Sequence, residues 1–338
     1  EIRAILSSLT QAIHNSVFSL PNGETVRISA SGGVAWYPDD SKSFDELVRY
    51  ADFAMYQVKR FRKGELGDFD LGVYNHEFFL IQSRREFLEL LQKELLTYHF
   101  QPIVDAVTGR PVAFEALMRV DMPTLRSPDA VLQLARREGR LRDIERLTWF
   151  TACGAYQSLL DRSLVPENAL LFINSIASQR LTYQECLDLK QRYGGLLPRT
   201  VIEITEAEDM DPAATRAKRE APSSSGIFAL DDYGSGYNSE KNLLELAPRF
   251  IKVDISIIRG IDKDPDKQQI VLNITRYAHE RGMKIIAEGL ESASEVGCVL
   301  RLSVDLLQGY YLARPAAVPS RINQPALDLI REFRHSGV

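Results

Sequence analysis

Ile227-Phe228-Ala229-Leu230-Asp231-Asp232-Tyr233-Gly234-Ser235-Gly236 carries an apolar run of strand length straight into two adjacent carboxylates and then into a glycine-rich turn. A continuous apolar run bounded by turn residues reads as a strand buried on both faces. Carboxylates at the end of such a strand repel one another unless donors or cations neutralise them. Five more short apolar runs contain or end in an oxygen donor or a lysine. They are 112–117 with Glu115, 170–173 followed by Asn174, 201–204 with Glu203, 250–253 with Lys252, and 284–287 followed by Glu288. A recurrence this regular predicts one site assembled from many strand ends, with a shared cationic ligand.

Amphipathic stretches of helix length, such as 130–137 and 268–281, separate these runs. Strands alternating with helices imply a mainly parallel α/β fold. Polar residues near the carboxyl ends of so many strands favour closure into a barrel over an open sheet. No Gly-x-Gly-x-x-Gly or phosphate-binding loop opens the region, which weakens the open nucleotide-binding alternative.

The first 70 residues have another character. Residues 2–18 form an amphipathic helix, Pro21-Asn22-Gly23 a turn, and 26–36 an extended segment. A second helix covers 44–62, with Asp45 and Glu46 in its first turn and Lys59 and Arg60 in its last. Residues 64–70 read as a turn-rich exit, and 78–96 as a connecting helix. The expected division is a small domain over 1–72, a connecting helix over 73–92 and the barrel over 93–338.

Composition narrows the function classes. A chain of 338 residues with 45% hydrophobic residues can bury two cores. With Lys+Arg 41 against Asp+Glu 46 the net charge is -5, so no basic field exists to hold duplex nucleic acid. A phosphate substrate must be met by local cations or metal ions. Cys153, Cys186 and Cys298 form no Cys-x-x-Cys pair, arguing against zinc and against a disulfide framework and for a reduced, cytoplasmic setting. No apolar run reaches membrane-spanning length. The chain starts at Glu1, which suggests a fragment whose parent could be tethered elsewhere.

Individually, the motifs allow ordinary readings. Asp231-Asp232 could be a turn and helix cap, Lys252 a snorkelling surface residue, Asn174 a turn former and Arg119 a surface ion-pair partner. Their joint placement at successive strand ends favours a site. Adjacent acids at 231 and 232 point different ways and can serve two neighbouring metal ions, while Lys252 inside an apolar strand needs an anionic neighbour. The five histidines, His14, His76, His99, His279 and His335, all lie outside these segments. Oxygen donors without histidine suit magnesium or manganese better than zinc or copper. Two such ions can clamp the attacking and leaving oxygens of a phosphodiester.

The ordered set of motifs resembles the EAL family of cyclic di-GMP phosphodiesterases from about residue 85 onward. It comprises Phe100-Gln101-Pro102-Ile103, Glu115-Ala116-Leu117-Met118-Arg119, Phe172-Ile173-Asn174 and Glu203-Ile204-Thr205-Glu206. Asp231-Asp232-Tyr233-Gly234-Ser235-Gly236, Ile251-Lys252-Val253-Asp254, Ala287-Glu288-Gly289-Leu290-Glu291 and Gln308-Gly309-Tyr310 complete it. The resemblance implies a modified (β/α)8 barrel with Glu115, Asn174, Glu203, Asp231 and Asp232 as metal ligands, and Glu288 as general base or further ligand. It implies that Lys252 positions the attacking water, Glu291 supports its loop, and Glu206 anchors the glycine loop. Arg119 would grip a substrate phosphate, and Gln101 and Gln308 would complete the substrate site. Hydrolysis of cyclic di-GMP to linear pGpG with Mg2+ or Mn2+, by a homodimer associating through the EAL domain, is the implied activity. A non-catalytic cyclic di-GMP receptor and a dimerisation or docking module are the alternatives.

Residues 28–35 and 51–59 resemble the last strands and final helix of a GGDEF domain, without its signature loop. Departures from the EAL pattern are the polar 237–240 and a segment, 221–226, short of apolar anchors.

Overall fold

The inward-facing residues of eight strands determine the architecture, because each strand carries an apolar side chain in one layer and a polar one in the next. The structure, a computed structural model, describes residues 2–61, 64–205, 212–235 and 239–335. The chain divides into two compact units, Glu1–Arg85 and Glu86–Val338.

In the first unit, helix α1 (Ile2–Asn15) leads into an antiparallel pair, β1 (Val17–Ser19) and β2 (Thr25–Arg27). The helix stops short of residue 18 because β-branched and aromatic Val17 and Phe18 pair with Arg27 and Val26 instead. Strand β3 (Gly32–Val34) pairs in parallel with β4 (Leu66–Asp68), and α2 (Phe44–Phe61) is the crossover between them. Gly33 is required there, since a Cβ would lie 1.9 Å from the Ala51 carbonyl oxygen of α2. The stretch 64–70, expected as a turn, thus holds a strand whose partner lies far back in sequence. Helix α3 (Leu71–Lys93) begins earlier than expected, where the Asp70 carboxylate accepts from Val73 N at 3.0 Å. The core is a small aromatic cluster in which Tyr50 stacks on Phe69 at 4.0 Å and Phe53 meets Tyr74 edge-on. Ile2, Ile5 and Leu9 of α1 stay exposed.

The second unit is a closed barrel. It starts with a long antiparallel pair, β5 (Thr97–Asp105) and β6 (Pro111–Arg119), followed by helices α4 (Pro128–Arg137) and α5 (Leu141–Asp161). Strand β7 (Leu170–Asn174) leads to α6 (Tyr183–Tyr193), β8 (Thr200–Thr205) to α7 (Pro212–Glu220), and β9 (Phe228–Tyr233) to α8 (Ser239–Leu246). Strand β10 (Phe250–Val253) precedes α9 (Ile255–Ile258) and α10 (Pro265–Glu280), and β11 (Lys284–Ala287) precedes α11 (Ala293–Arg301). Strand β12 (Leu306–Leu307) and α12 (Gln324–His335) complete the unit. Around the barrel the order is β5-β6-β7-β8-β9-β10-β11-β12, with β12 closing on β5. Strand β5 runs antiparallel to both neighbours, and all other neighbouring pairs are parallel. This is the modified (β/α)8 arrangement expected from the sequence.

Two apolar regions form because strand side chains alternate. Ile103, Ala113, Phe172, Val201, Ala229, Phe250, Ile286 and Leu306, one from each strand, fill the barrel interior. Phe172 and Phe250 meet across it edge-on at 5.1 Å between centroids. Outward residues such as Phe114, Ile173, Ile202, Leu230 and Ile251 pack with the helices in a second, larger cluster. The interior layer closes the floor of the barrel.

Candidate active site

Two positions beyond each interior apolar residue, toward the mouth, stands a polar one. The eight are Gln101, Glu115, Asn174, Glu203, Asp231, Lys252, Glu288 and Gln308. Gln101 joins them from the antiparallel strand, where it sits opposite Glu115. Period-two alternation requires this placement, and parallel register brings Asn174 level with Glu203.

Lys252 is the hub. Its Nζ lies 2.7 Å from Glu203 Oε1, 2.7 Å from Glu288 Oε1, 3.0 Å from Asp231 Oδ1 and 3.2 Å from Glu115 Oε2. The lysine is 1% exposed, so its charge is held inside the barrel by these carboxylates. Burial by itself would lower its pKa, but Asp231, Glu115, Glu203 and Glu288 outweigh that and hold it well above the ordinary lysine range. Four carboxylates surround one ammonium, leaving an excess of negative charge. Burial, followed by repulsion from Glu115, pushes Glu203 well above the usual carboxylate range despite the nearby ammonium. Asp231 and Glu288 are raised by burial first, with Lys252 opposing.

Asp232 reaches the site through a break in the strand. Between Ile251 and Val253 on β10 the facing strand advances from Leu230 to Tyr233, one residue more, which is a β-bulge at Asp231-Asp232. Asp232 accordingly adopts a left-handed backbone with φ of 57°, a strained conformation for a residue with a Cβ. The bulge lets two adjacent acids serve one cavity. Burial and then Asp231 push Asp232 up to about 6.

Carboxylate oxygens gather in two groups that share a member: Glu115, Glu203 and Asp231, and Asp231, Asp232 and Glu288. In each group the oxygens lie within 4.8 Å of one another. Both oxygens of Glu203 are buried, and Lys252 stands 2.7 Å from Oε1 while Oε2 meets no hydrogen-bond donor among the described residues. A buried carboxylate with undirected lone pairs fits a hard cation. The donor set therefore suits divalent ions, with Asp231 between two positions.

Gln308 Nε2 donates to Glu115 Oε2 at 2.5 Å and to Gln101 Oε1 at 3.2 Å, while Gln101 Nε2 donates to the Ala313 carbonyl. Asn174 Nδ2 is 3.2 Å from Glu115 Oε1. Arg119 ends β6, half-buried, with Nη1 donating to the Met118 carbonyl. Glu291 is on the exposed side of its loop, paired with Arg259, and is not among the carboxylates around Lys252. Glu206 lies outside the described residues. A buried cluster that nothing in the sequence singles out, Glu145 with Ser175 and Lys218, stands directly behind Asn174. Lys218 sits in a helix of small and charged residues, where it reads as a surface group.

Known proteins resemble this chain in sequence and fold. Over 295 residues the chain is 30% identical to the bifunctional diguanylate cyclase/cyclic di-GMP phosphodiesterase MucR of Pseudomonas aeruginosa, covering 86% of this chain and 43% of that protein. With the cyclic di-GMP phosphodiesterase PdeL of Escherichia coli the identity is 28% over 248 residues, 71% of this chain and 68% of PdeL. The chain spans less than half the length of the first curated relatives it matches. Among solved structures, the phosphodiesterase of P. aeruginosa MucR in complex with c-di-GMP superposes with a TM-score of 0.59 at 25% identity, covering 70% of this chain and 97% of that one. A standalone EAL protein of Vibrio cholerae O395, in its c-di-GMP-bound form, gives 0.57 at 27% identity over 69% and 97%. The EAL domain model matches residues 84–315, most of the barrel unit, and the chain belongs to the EAL domain family.

Proposed function

We propose that this chain hydrolyses cyclic di-GMP to linear pGpG, and that it does so with divalent cations held by the polar layer of the barrel. The observation that carries the reading is the convergence of Glu115, Glu203, Asp231 and Glu288 on Lys252. A barrel used only as a scaffold would gain nothing from four carboxylates, three of them buried, around a single ammonium, an arrangement that costs stability.

In this reading Glu115, Asn174, Glu203 and Asp231 hold one ion, and Asp231, Asp232 and Glu288 a second, either Mg2+ or Mn2+. Such ions supply a Lewis acid for the phosphate oxygens and a nucleophile available near neutral pH. The protein's own groups do the rest. Lys252 fixes the attacking water by a charge-assisted hydrogen bond and offsets the negative charge of the layer. Glu288, 2.7 Å from the same ammonium, is the general base or a further ligand. Arg119, at the rim, pairs with a non-bridging phosphate oxygen, and Gln101 and Gln308 orient the face of the site nearest Glu115. Glu291 and its partner Arg259 steady the loop after β11. Glu206 is assigned to the glycine loop on the resemblance alone.

The first unit is proposed to be a truncated GGDEF-like domain over 1–72 that makes no cyclic di-GMP, joined by 73–92 to the barrel of 93–338. Among the described residues no helix is long and apolar enough to cross a membrane. A cytoplasmic setting and a homodimer through the barrel unit belong to the same proposal.

Incubation with cyclic di-GMP and Mg2+ or Mn2+, followed by chromatography for pGpG, tests the activity. Appearance of pGpG supports it; retention of cyclic di-GMP without turnover, or no retention, overturns it in favour of a receptor or a docking module.

A further inference from the structure

A second cavity, of about 620 Å³, lies outside the barrel wall between α6 and α7. We propose that it is a regulatory binding site for a small, flat apolar molecule carrying one anionic group.

The cavity exists because α7 has no large apolar side chain. Ala217 on the helix, with Ala221, Ser223 and Ser224 just beyond it, faces the space that Leu181, Cys186 and Ile202 border on the other side. Protein interiors normally pack to the density of organic crystals, and a space of this size matches ligand pockets better than packing defects. Its walls suit an aromatic body, with Trp149 and Tyr183 alongside the aliphatic groups.

The charged lining selects an anion. Glu145 and Lys218 both face the cavity and satisfy each other: Lys218 Nζ donates to Glu145 Oε1 at 2.8 Å. Glu145 also accepts from Trp149 Nε1 at 3.0 Å, Ser175 Oγ at 2.6 Å and Ile176 N at 2.9 Å. Arg142 is held by Glu185 at 2.7 Å. Arg180, at the rim, has no carboxylate partner among the described residues. One unmatched guanidinium over an apolar space favours a carboxylate, sulfonate or phosphate group.

The floor links the cavity to the mouth of the barrel. Ser175, which bonds to both Glu145 and Lys218, follows Asn174 directly, and its backbone N–H donates to Glu203 O at 3.0 Å. A ligand that shifts Lys218 or Trp149 therefore acts on the backbone carrying Asn174 and on the strand carrying Glu203. This regulatory part rests on Asn174 serving the metal site proposed above, whereas binding itself does not.

The chain has two tryptophans, so Trp36→Phe leaves Trp149 as the single reporter. In that background, 8-anilinonaphthalene-1-sulfonate is expected to quench Trp149 emission saturably, at one equivalent. Its uncharged analogue N-phenyl-1-naphthylamine is expected to bind on the order of tenfold more weakly. Ala217→Phe, which fills the cavity, should abolish the quenching, and Arg180→Ala should erase the preference for the sulfonate. If Ala217→Phe fails to fold, as judged by its melting curve, Ser224→Leu serves the same purpose. Non-saturable quenching, or quenching untouched by both cavity-filling variants, overturns the site. Saturating sulfonate should also shift Mn2+ affinity, measured by titration calorimetry, by about threefold or more. An unchanged Mn2+ affinity overturns the regulatory role, and it does so whether or not the chain cleaves cyclic di-GMP.

Discussion

Lys252 Nζ on β10 lies 2.7 Å from Glu203 Oε1 on β8, with the whole of β9 between the two strands. The contact spans a strand because alternate strands of a closed barrel place side chains at the same height. It also puts a positive charge at the centre of the acidic layer. The ammonium stands where positive charge is needed, and it brings together carboxylates that would otherwise separate.

Removing that ammonium should show the dependence directly. Lys252→Met, nearly isosteric, leaves four carboxylates, three of them buried, without a counter-charge, and loss of one partner from a buried ion-pair cluster costs about 3–5 kcal/mol. In EDTA the variant is expected to unfold at a lower temperature than the parent. Saturating Mn2+ should recover most of the loss, because cations then occupy the carboxylates. Turnover is expected to fall by about two orders of magnitude while cyclic di-GMP is still bound. A variant that cleaves at the parental rate would remove the lysine from catalysis.

Glu115 belongs to a different part of the same layer, since Gln308, Asn174 and Lys252 all meet its carboxylate. Glu115→Ala should abolish turnover and weaken Mn2+ binding, while the parent loses activity in EDTA and regains it on reloading. Calorimetric Mn2+ titration of both proteins checks the assignment. Unchanged Mn2+ stoichiometry and affinity in the variant would falsify it.

The parallel strands and the polar residues at their mouth ends were readable because the relevant rule is local. Phe172 and Asn174, Val201 and Glu203, Phe250 and Lys252 are each two residues apart, so a floor and a functional layer are written in every such segment. Strand β12 is only two residues long and leaves no such pattern, and β5 runs the opposite way. The bulge that turns Asp232 into the site depends on pairing with β10, which no reading of β9 alone contains. Glu145 and Lys218 were illegible for a related reason. They are 73 positions apart on two helices, where each looks like an ordinary exposed charge until tertiary packing buries both.

The three cysteines are all free and buried, and burial pushes the Cys153 thiol up to about 12. Thiolate is the reactive form, so native Cys153 should be inert. Treatment of the folded chain with a thiol-reactive chromophore is expected to leave Cys153 unlabelled for minutes, and to label it in denaturant. Rapid labelling of native Cys153, located by peptide mapping, would contradict the packing of α5 against the barrel.

Gly309 adjoins Gln308, and a Cβ there would lie 2.2 Å from both the backbone nitrogen and the carbonyl oxygen of Leu290. Neither backbone atom can swing aside as a side chain could. Gly309→Ala must therefore displace the Leu290 loop, which follows Glu288, or move Gln308 off Glu115. The expected outcome is a loss of turnover together with a destabilisation of about 1–3 kcal/mol, read by urea titration. Parental activity and stability would show that the loops are looser than this contact implies.

Glu295 carries the same region from the other side. Its carboxylate accepts from Gly260 N at 2.9 Å, Glu291 N at 2.9 Å and Ser292 N at 3.1 Å, tying the start of α11 to the turn after α9. Burial alone would raise its pKa, yet these backbone donors, joined by the Ser292 side chain, outweigh it and hold the group below the usual carboxylate range. A carboxyl with a depressed folded-state pKa stabilises the fold above its unfolded pKa, and that contribution fades as pH falls through the folded value. Glu295→Ala is thus expected to cost about 1–3 kcal/mol near pH 7, where three backbone donors lose their acceptor. The gap between variant and parent should narrow in acid, below the ordinary glutamate pKa of about 4.3. Urea unfolding of both proteins across that range measures the difference, and a gap that stays constant with pH would show that the ionised carboxylate is not what holds α11 in place.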